Sequence, residues 1–466
     1  METQIMRVLL LTACLFAAGP VLAQPESPSG QTAAQPPTAV AIPQLRAEAN
    51  KAYVGKDFVR FRDIVAQLHG LFPYNQQYMT QLVYAHALNG DRKNAYDMML
   101  TMQRQGLAHD FNASDDSKNI RGTEAYDYIN DLMVRAGEPN GAADLRFTLP
   151  AEVVLPTALV WDPSREAFLV GDASQGGLWQ VERSGETRRL AFADEDTGLW
   201  SIFGLLVDAE NNRLWVSSSA SRIHAEIDPA EAGRAGLFEF TLDELKLVKK
   251  YPVAADGLPH RLGEVVKLGD DLYSVDAYRP VVYRLNAGED RVRPFIALTQ
   301  SVLLRGLVAD EKRQLLYVSD AERGVQIIDL NGQRALGLAV PETLNMAGIE
   351  SLALADNALV MVQSGIAPQR IMRLNLDATG AAVEGVVPLA IAMDFFDGPN
   401  ASVLVDDELF FMANQQPVRA KIARRPVRIG SAKIDDDQEL SAPDMDKFWD
   451  DYYEKTGKER PPQNGD

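Results

Sequence analysis

Cysteine, histidine and long apolar runs are all scarce in this sequence. One cysteine, Cys14, and five histidines occur among 466 residues, which excludes a disulfide-rich scaffold, and the histidines lack the paired spacing of a zinc site. After residue 23 no apolar run reaches the ~18 residues of a membrane-spanning helix. Basic residues number 46 against 65 acidic ones, a net charge of −19, which argues against a nucleic-acid-binding face.

Signature motifs of several enzyme classes are missing as well. The chain has no Gly-x-Ser-x-Gly nucleophile turn, no phosphate-binding P-loop and no glycine fingerprint for dinucleotides. It does have 46% hydrophobic residues, which is typical of a globular protein, and a length that fits two or three domains. Composition alone therefore indicates the class of protein and leaves its chemistry open.

Residues 1–23 have the features of an export signal. Arg7 is followed by an apolar stretch, and Val21-Leu22-Ala23 forms a small-residue cleavage site before Gln24. The prediction is a periplasmic or secreted protein. As an alternative, the residues ending at Cys14 resemble a lipoprotein box, in which Cys14 carries a lipid anchor. Residues 24–42, rich in Pro, Ala and Gln, are predicted to be a disordered linker.

Residues 431–466 form an acidic C-terminal tail that contains one amphipathic segment. Its apolar residues recur at helical spacing: Met445, Phe448, Trp449, Tyr452 and Tyr453. The pattern predicts a short helix, docked on the same molecule or on a partner.

Helical periodicity dominates residues 43–138. Two helix pairs repeat at the ~34-residue period typical of tetratricopeptide repeats, and a third helix is predicted from Thr123 to Ala136. The segment resembles that repeat family, which implies a small concave surface for peptides. A protein-docking module and a brace packed on the next domain are both left open.

From residue 144 to about 430 the pattern changes to alternating strands. A unit of two apolar strands recurs six times, each ending in a small or polar residue: Asp172, Ser218, Asp276, Asp320, Ser364 and Asn414. Repeats of ~40–50 residues with several strands predict propeller blades, so the fold class is an all-β six-bladed β-propeller with a small N-terminal all-α domain. The strand Arg146–Leu149 is expected to complete the last blade and close the ring. Asp172, Asp276 and Asp320 are expected to accept hydrogen bonds from turn amides.

The blade pattern, strand–Asp–turn–Leu-Tyr/Trp-Val-x-Asp-Ala, resembles NHL-repeat and gluconolactonase (senescence-marker-protein)-like propellers. That resemblance implies a divalent cation of the calcium type on the propeller axis, held by oxygen ligands that include a Glu at the start of the first blade. Here Thr157 occupies that position, and Arg305 stands where a ligand is expected. Glu350 and Asn400 keep suitable chemistry and are the metal ligands that the resemblance implies.

Residues at the starts of the inner strands make up the candidate site on the axis. These ligand-binding candidates are Thr157, His260, Arg261, Arg305, Glu350 and Asn400. Three interpretations stay open: an ion pair between Arg305 and Glu350, a pocket for a small or anionic ligand, and a Ca²⁺ site on Glu350 and Asn400.

The departures at Thr157 and Arg305 favour a non-catalytic binding or scaffold protein, which uses the helical groove and the propeller face. Its partner is expected to be an envelope protein or a small molecule, with no nucleic acid involved. The alternative is a metal-dependent, lactonase-like hydrolase in which Glu350 and Asn400 hold the metal and Arg305 polarises a substrate oxygen. Substrate and oligomeric state are not specified by the sequence.

Overall fold

The computed structural model describes residues 37–191, 197–224, 227–417 and 424–435. The predicted signal peptide with Cys14, most of the predicted linker and nearly all of the acidic tail lie outside these ranges, so those predictions stay predictions. Among the described helices, none is both long enough and apolar enough to cross a membrane.

An N-terminal group of helices precedes the strands. Its α-helices are α1 (Pro37–Val54), α2 (Phe58–Leu71), α3 (Gln76–Leu88), α4 (Arg92–Arg104) and α5 (Glu124–Arg135), with 3₁₀ turns at Phe111–Ala113 and Asp115–Ile120. Polar residues cap the helix starts: the side chains of Asp57, Asn75, Asp91 and Thr123 each accept a hydrogen bond from a backbone N–H of the first turn. Helices α1 to α4 lie where periodicity predicted the two helix pairs, while the relation to tetratricopeptide repeats stays a prediction.

The strands that follow the helices form a six-bladed β-propeller, as the repeat predicted. Strands β1 (Asn140–Gly141) and β2 (Asp144–Thr148) come before the first blade. Blade one consists of β3 (Pro156–Asp162), β4 (Ala167–Asp172), β5 (Leu178–Glu182) and β6 (Thr187–Ala191), and blade two consists of β7 (Ser201–Asp208), β8 (Arg213–Ser219), β9 (Ala235–Thr241) and β10 (Leu247–Pro252). Blade three consists of β11 (Leu262–Leu268), β12 (Asp271–Asp276), β13 (Val281–Leu285) and β14 (Arg293–Ala297). Each blade is an antiparallel sheet in chain order, with its first strand innermost.

The last three blades follow the same plan with two variations. Blade four consists of β15 (Leu304–Asp310), β16 (Leu315–Asp320), β17 (Gly324–Asp329) and β18 (Arg334–Gly337). Blade five consists of β19 (Ile349–Ala355), β20 (Ala358–Gln363), β21 (Arg370–Leu376) and β22 (Val383–Ile391). Blade six consists of β23 (Ser402–Val405), β24 (Glu408–Met412) and β25 (Arg428–Lys433). The first variation is that blade five carries β1 as a fifth strand on β22. In the second, the outer strand of blade six is β2, which precedes blade one in the sequence and pairs with β25. This confirms the ring closure predicted for Arg146–Leu149.

Small residues let the inner strands approach one another around the axis. A side chain on Gly204 would come within 2.2 Å of the Gly263 carbonyl oxygen of the next blade, and one on Gly306 within 2.8 Å of the Leu352 nitrogen. Ala158 and Ser351 hold the matching positions in β3 and β19. This row faces the neighbouring blade, so only a small or specially accommodated side chain fits there.

The helices pack on blade five through a buried arginine. Arg370 donates from Nε to Gln363 Oε1 (2.8 Å), from Nη1 to the Gln105 carbonyl (2.9 Å) and from Nη2 to the Asn345 carbonyl (3.2 Å). Burial lowers the pKa of its guanidinium to about 10. Ile366 of the propeller joins the apolar core of the helices. The helices therefore sit at the end of the blades where the inner strands begin.

Candidate functional site

Strand-end aspartates fix the loops at the mouth of the central channel. Asp320, at the end of β16, accepts hydrogen bonds from the backbone N–H groups of Val302, Leu303, Glu322 and Arg323. Asp172 and Asp276 play the same part in blades one and three. The predicted role of these three residues is confirmed, and it sets the loops that lead into β11 and β15.

Arg261 lies at the mouth between two aromatic rings. Its guanidinium carbon stands 5.4 Å from the centroid of Phe203 and 5.0 Å from that of Tyr278, a cation–π arrangement. Burial lowers the pKa of Arg261, and repulsion from Arg305 acts in the same direction. Among the described residues, its guanidinium makes no hydrogen bond and no ion pair. Attraction to Asp276 opposes these two effects on the pKa. The positive charge is therefore held in place by stacking, without a direct ion pair to a described carboxylate.

Arg305, on the next inner strand, faces Glu350. Arg305 Nε lies 3.4 Å from Glu350 Oε2, and the side chains are 32% and 17% exposed. Nε is buried and has no hydrogen-bond partner within the described ranges. The pair is thus a charge contact without a hydrogen bond, which leaves donor capacity on Arg305 for another acceptor. It has the geometry of the ion-pair interpretation.

Glu264, on inner strand β11, is a carboxyl that the sequence analysis missed. Glu264 occupies the small-residue row of β11, and it accepts a hydrogen bond from the Leu307 N–H of the next blade at 2.6 Å. It also hydrogen-bonds Ser351, one blade further on, and burial raises its pKa from 4.5 to about 8. Glu264 therefore spans three successive inner strands and is largely protonated at neutral pH.

The other predicted site residues serve local contacts. Thr157 Oγ1 donates to the Ile202 carbonyl at 2.5 Å. The Asn400 amide donates to the Gly398 carbonyl at 2.9 Å and accepts from the Ala401 N–H. His260 is buried, with Asp276 and Asp256 on its two ring nitrogens at 3.0 and 3.1 Å. Of the six candidates, the mouth therefore brings together Arg261, Arg305 and Glu350.

The calcium-type cation that the resemblance implies would need free oxygen ligands from Glu350 and Asn400. Hard cations take six or more oxygen ligands, whereas Glu350 faces a guanidinium and the Asn400 oxygen accepts from the backbone. The described residues contain no group of three His, Cys, Asp or Glu side chains arranged to hold a metal. This arrangement does not fit a hard cation, and no step below involves one. The assignment of Glu350 and Asn400 as metal ligands stays a prediction for metal analysis.

A cavity opens at the other end of the strands. It measures about 830 Å³ and is lined by residues of the turns that leave the inner and third strands, among them Trp161, Glu182, Arg183 and Asp406. Its arginine is already engaged, because Arg183 stacks on Trp161 and lies 3.8 Å from Asp406. The unpaired positive charge is at the mouth, so the mouth is the stronger candidate.

The sequence contains a signal for Glu264 but none for Tyr278. When the blades are aligned on their small-residue row, Glu264 is the charged member beside Ala158, Gly204 and Gly306, which is a signal that could have been read. Tyr278 follows Asp276 in a loop, and nothing in its spacing indicates that it covers Arg261.

No family model matches the chain, and no curated protein matches it in sequence. Among solved structures, it is similar to a PQQ-bound aldose sugar dehydrogenase from Streptomyces coelicolor (14% identity, 63% of this chain and 98% of that one, TM-score 0.44). It is also similar to a luciferin-regenerating enzyme (13%, 63% and 95%, 0.45) and to a candidate gluconolactonase (12%, 63% and 92%, 0.44). At these identities the likeness concerns the propeller fold alone. Function is argued below from the site.

Proposed function

We propose that this propeller binds a small organic anion at the mouth of its central channel, with Arg261 and Arg305 as the recognising groups. The observation that carries the proposal is the Arg261 guanidinium, which is stacked on Phe203 and Tyr278 with its donors unused by the described residues. A partly buried charge of this kind is costly unless an opposite charge joins it.

The surroundings favour a small anion over a large one. The chain carries a net charge of −19, so its surface as a whole repels polyanions. A planar carboxylate can take two parallel hydrogen bonds from a guanidinium. The stacked rings hold the plane of Arg261 in advance, which lowers the entropy lost on binding.

Ligand-observed NMR with benzoate as the probe tests the proposal. Benzoate signals should broaden with the native protein, and Arg261→Gln should weaken binding by about 10- to 100-fold, the effect of losing a charge-assisted hydrogen bond. Arg284→Gln is the matched control, because Arg284 also stacks on an aromatic ring, Phe295, at 4.7 Å. Binding that survives Arg261→Gln, or equal binding of neutral benzamide, contradicts the proposal.

Hydrolysis of a lactone or ester is a second candidate function, and Glu264 is the observation that favours it. A carboxyl with a pKa of about 8 can exchange a proton near neutral pH. In this scheme water attacks the carbonyl carbon while ionised Glu264 takes its proton. The ring C–O bond then breaks, and Glu264 returns the proton to the leaving oxygen. The product is a carboxylate, the class of anion proposed for Arg261 and Arg305.

Hydrolysis of δ-valerolactone, followed by proton release, tests this second candidate. Activity should rise with pH around 8 and fall at least 100-fold in Glu264→Gln. Unchanged activity in Glu264→Gln contradicts it, as does the absence of hydrolysis by a protein that binds benzoate. In the latter case anion binding stands alone.

A further inference from the structure

Two exposed apolar side chains lie on the loops next to the two arginines in the chain, and a third, Tyr278, contacts Arg261. Leu258 is 55% exposed, Tyr278 43% and Val302 46%. Leu258 lies three residues before Arg261 and Val302 three residues before Arg305, on the loops that enter β11 and β15. We name Leu258, Tyr278 and Val302 the apolar rim.

The loops that carry the rim are held firmly. Val302 is fixed by the hydrogen bond from its N–H to Asp320. Leu258 N–H donates to Asp256 Oδ1 at 2.9 Å, and Asp256 is in turn bound by Arg279 at 2.8 Å. Tyr278 is fixed by a hydrogen bond from its N–H to Asp276 and by its contact with Arg261. Apolar groups that stay exposed on ordered loops beside a charge indicate a contact surface.

We infer that the ligand is an amphipathic carboxylate, a small acid whose apolar tail of several carbons lies on the apolar rim while its carboxylate meets Arg261 and Arg305. This inference rests on the proposed function and adds the chemical class of the ligand. Charge complementarity selects the carboxylate, and the exposed rim beside it selects an apolar tail over a polar one.

A homologous series of carboxylates separates the head from the tail. Affinities of acetate, butyrate, hexanoate and octanoate for the full mature protein are measured by NMR titration, with octanamide as the uncharged match of octanoate. Burial of one methylene strengthens binding by up to about fourfold, so the series should tighten by about two- to fourfold per added carbon. Octanamide should bind at least tenfold more weakly than octanoate.

Variants of the rim then locate the tail. The double variant Leu258→Ser with Val302→Ser should flatten the chain-length series and leave acetate unchanged, because both side chains are exposed and make no contact with the carboxylate. Val248→Ser, an equally exposed valine on outer strand β10, is the control and should leave the series as it is.

The outcomes distinguish this inference from the proposed function. Equal affinity for every carboxylate, abolished by Arg261→Gln, overturns the amphipathic ligand and leaves anion binding intact. A series that tightens equally in the rim variant overturns the placement of the tail. Failure of all carboxylates to bind, or equal binding of octanamide and octanoate, overturns the inference and the proposed function together.

Discussion

Single residues at the propeller axis differ in how their charge is compensated. Arg261 has two aromatic faces and no anionic partner among the described residues, Arg305 has one loosely placed carboxylate, and Glu264 has two hydrogen-bond donors. Basic and acidic side chains that are wholly or partly buried thus lie where the inner strands of neighbouring blades begin. Such groups are concentrated at functional sites, which is why the account centres on the mouth.

Glu350 acts in this account as an internal competitor for the ligand. Its carboxylate already faces Arg305 at 3.4 Å, so a ligand carboxylate must share or replace it. Glu350→Gln should therefore tighten benzoate binding by about three- to tenfold, since a like charge beside the anion is removed. NMR titration of both proteins measures the change.

Weaker benzoate binding in Glu350→Gln would contradict the competitor role. A calcium-dependent rise in melting temperature that Glu350→Gln abolishes would instead support the metal assignment. The isosteric Gln keeps the volume of the side chain, so the comparison is not obscured by misfolding.

Glu264 makes the stability of the propeller depend on pH. Its pKa is raised from 4.5 to about 8 in the folded protein, so the folded state binds its proton more tightly than the unfolded state does. This stabilisation is complete below pH 4.5 and is lost as the pH rises through 8. The free energy of unfolding should fall by about 3 to 5 kcal/mol over that range from this group alone.

Glu264→Gln should remove that decline, because the amide oxygen still accepts from Leu307 and carries no ionisable proton. Urea denaturation at pH 5, 7 and 9 measures it. The variant should be more stable than the native protein at pH 9 and close to it at pH 5. Parallel pH profiles for the two proteins would contradict the raised pKa.

At the scale of elements, the strand ends were the most predictable part of the site. Asp172, Asp276 and Asp320 end their strands at turns, and local hydrogen bonding to the turn amides follows from their position in the sequence. The six blades and the closing strand at Arg146–Leu149 also followed from the repeat. The repeat could have marked Glu264 as a charged member of its row, but its contacts did not follow, because an alternating pattern tells which residues share a face and not which neighbouring blade they touch.

Asp320 links blade stability to the loop before Arg305. Asp320→Ala leaves four backbone N–H groups without their acceptor, and the free energy of unfolding should fall by about 2 to 4 kcal/mol. Urea denaturation measures this loss. Benzoate binding should weaken as well, because the loop that carries Val302 and leads to Arg305 is released.

Asp329→Ala is the control for this substitution. Asp329 ends the third strand of the same blade and accepts from the Gly332 N–H on the surface, so its loss should cost less than 1 kcal/mol. Equal losses for Asp320→Ala and Asp329→Ala would contradict the special role of Asp320.

At the scale of the whole molecule, the contact between the helices and the propeller was not predictable from sequence. The Arg370 hydrogen bond to the Gln105 carbonyl joins residues 265 positions apart, and Asn345 meets Gln105 across 240 positions. Periodicity identifies each element and says nothing about such distant pairs. The brace interpretation of the helices agrees with this buried contact, while a docking function for them stays a prediction.

Arg370→Met should loosen that contact. The substitution keeps much of the side-chain volume and removes the donor to Gln363 Oε1 and to the Gln105 carbonyl, while the Asn345 carbonyl still accepts from Gln363 Nε2. Amide hydrogen exchange in α3 and α4 should accelerate about 10- to 100-fold, the effect of losing roughly 1.4 to 2.8 kcal/mol. Exchange in β8 and β12 should stay unchanged.

Arg373→Met on the same strand is the control, since the Arg373 guanidinium donates to Asn375 Oδ1 and to the Ile434 carbonyl. Unchanged exchange in α3 and α4 of Arg370→Met would mean that the other contacts, such as the Ala367 N–H with Gln76 and the packing around Ile366, hold the helices without Arg370.

The most direct measurement of the central claim is the position of a bound carboxylate on the molecule. Crystals grown with 4-bromobenzoate, measured at the bromine absorption edge, locate the ring by its anomalous signal. We expect a bromine peak at the apolar rim, with the carboxylate on Arg261 and Arg305, and no such peak in Arg261→Gln. A peak elsewhere, such as the cavity at Trp161, or an empty mouth at saturating ligand would contradict it.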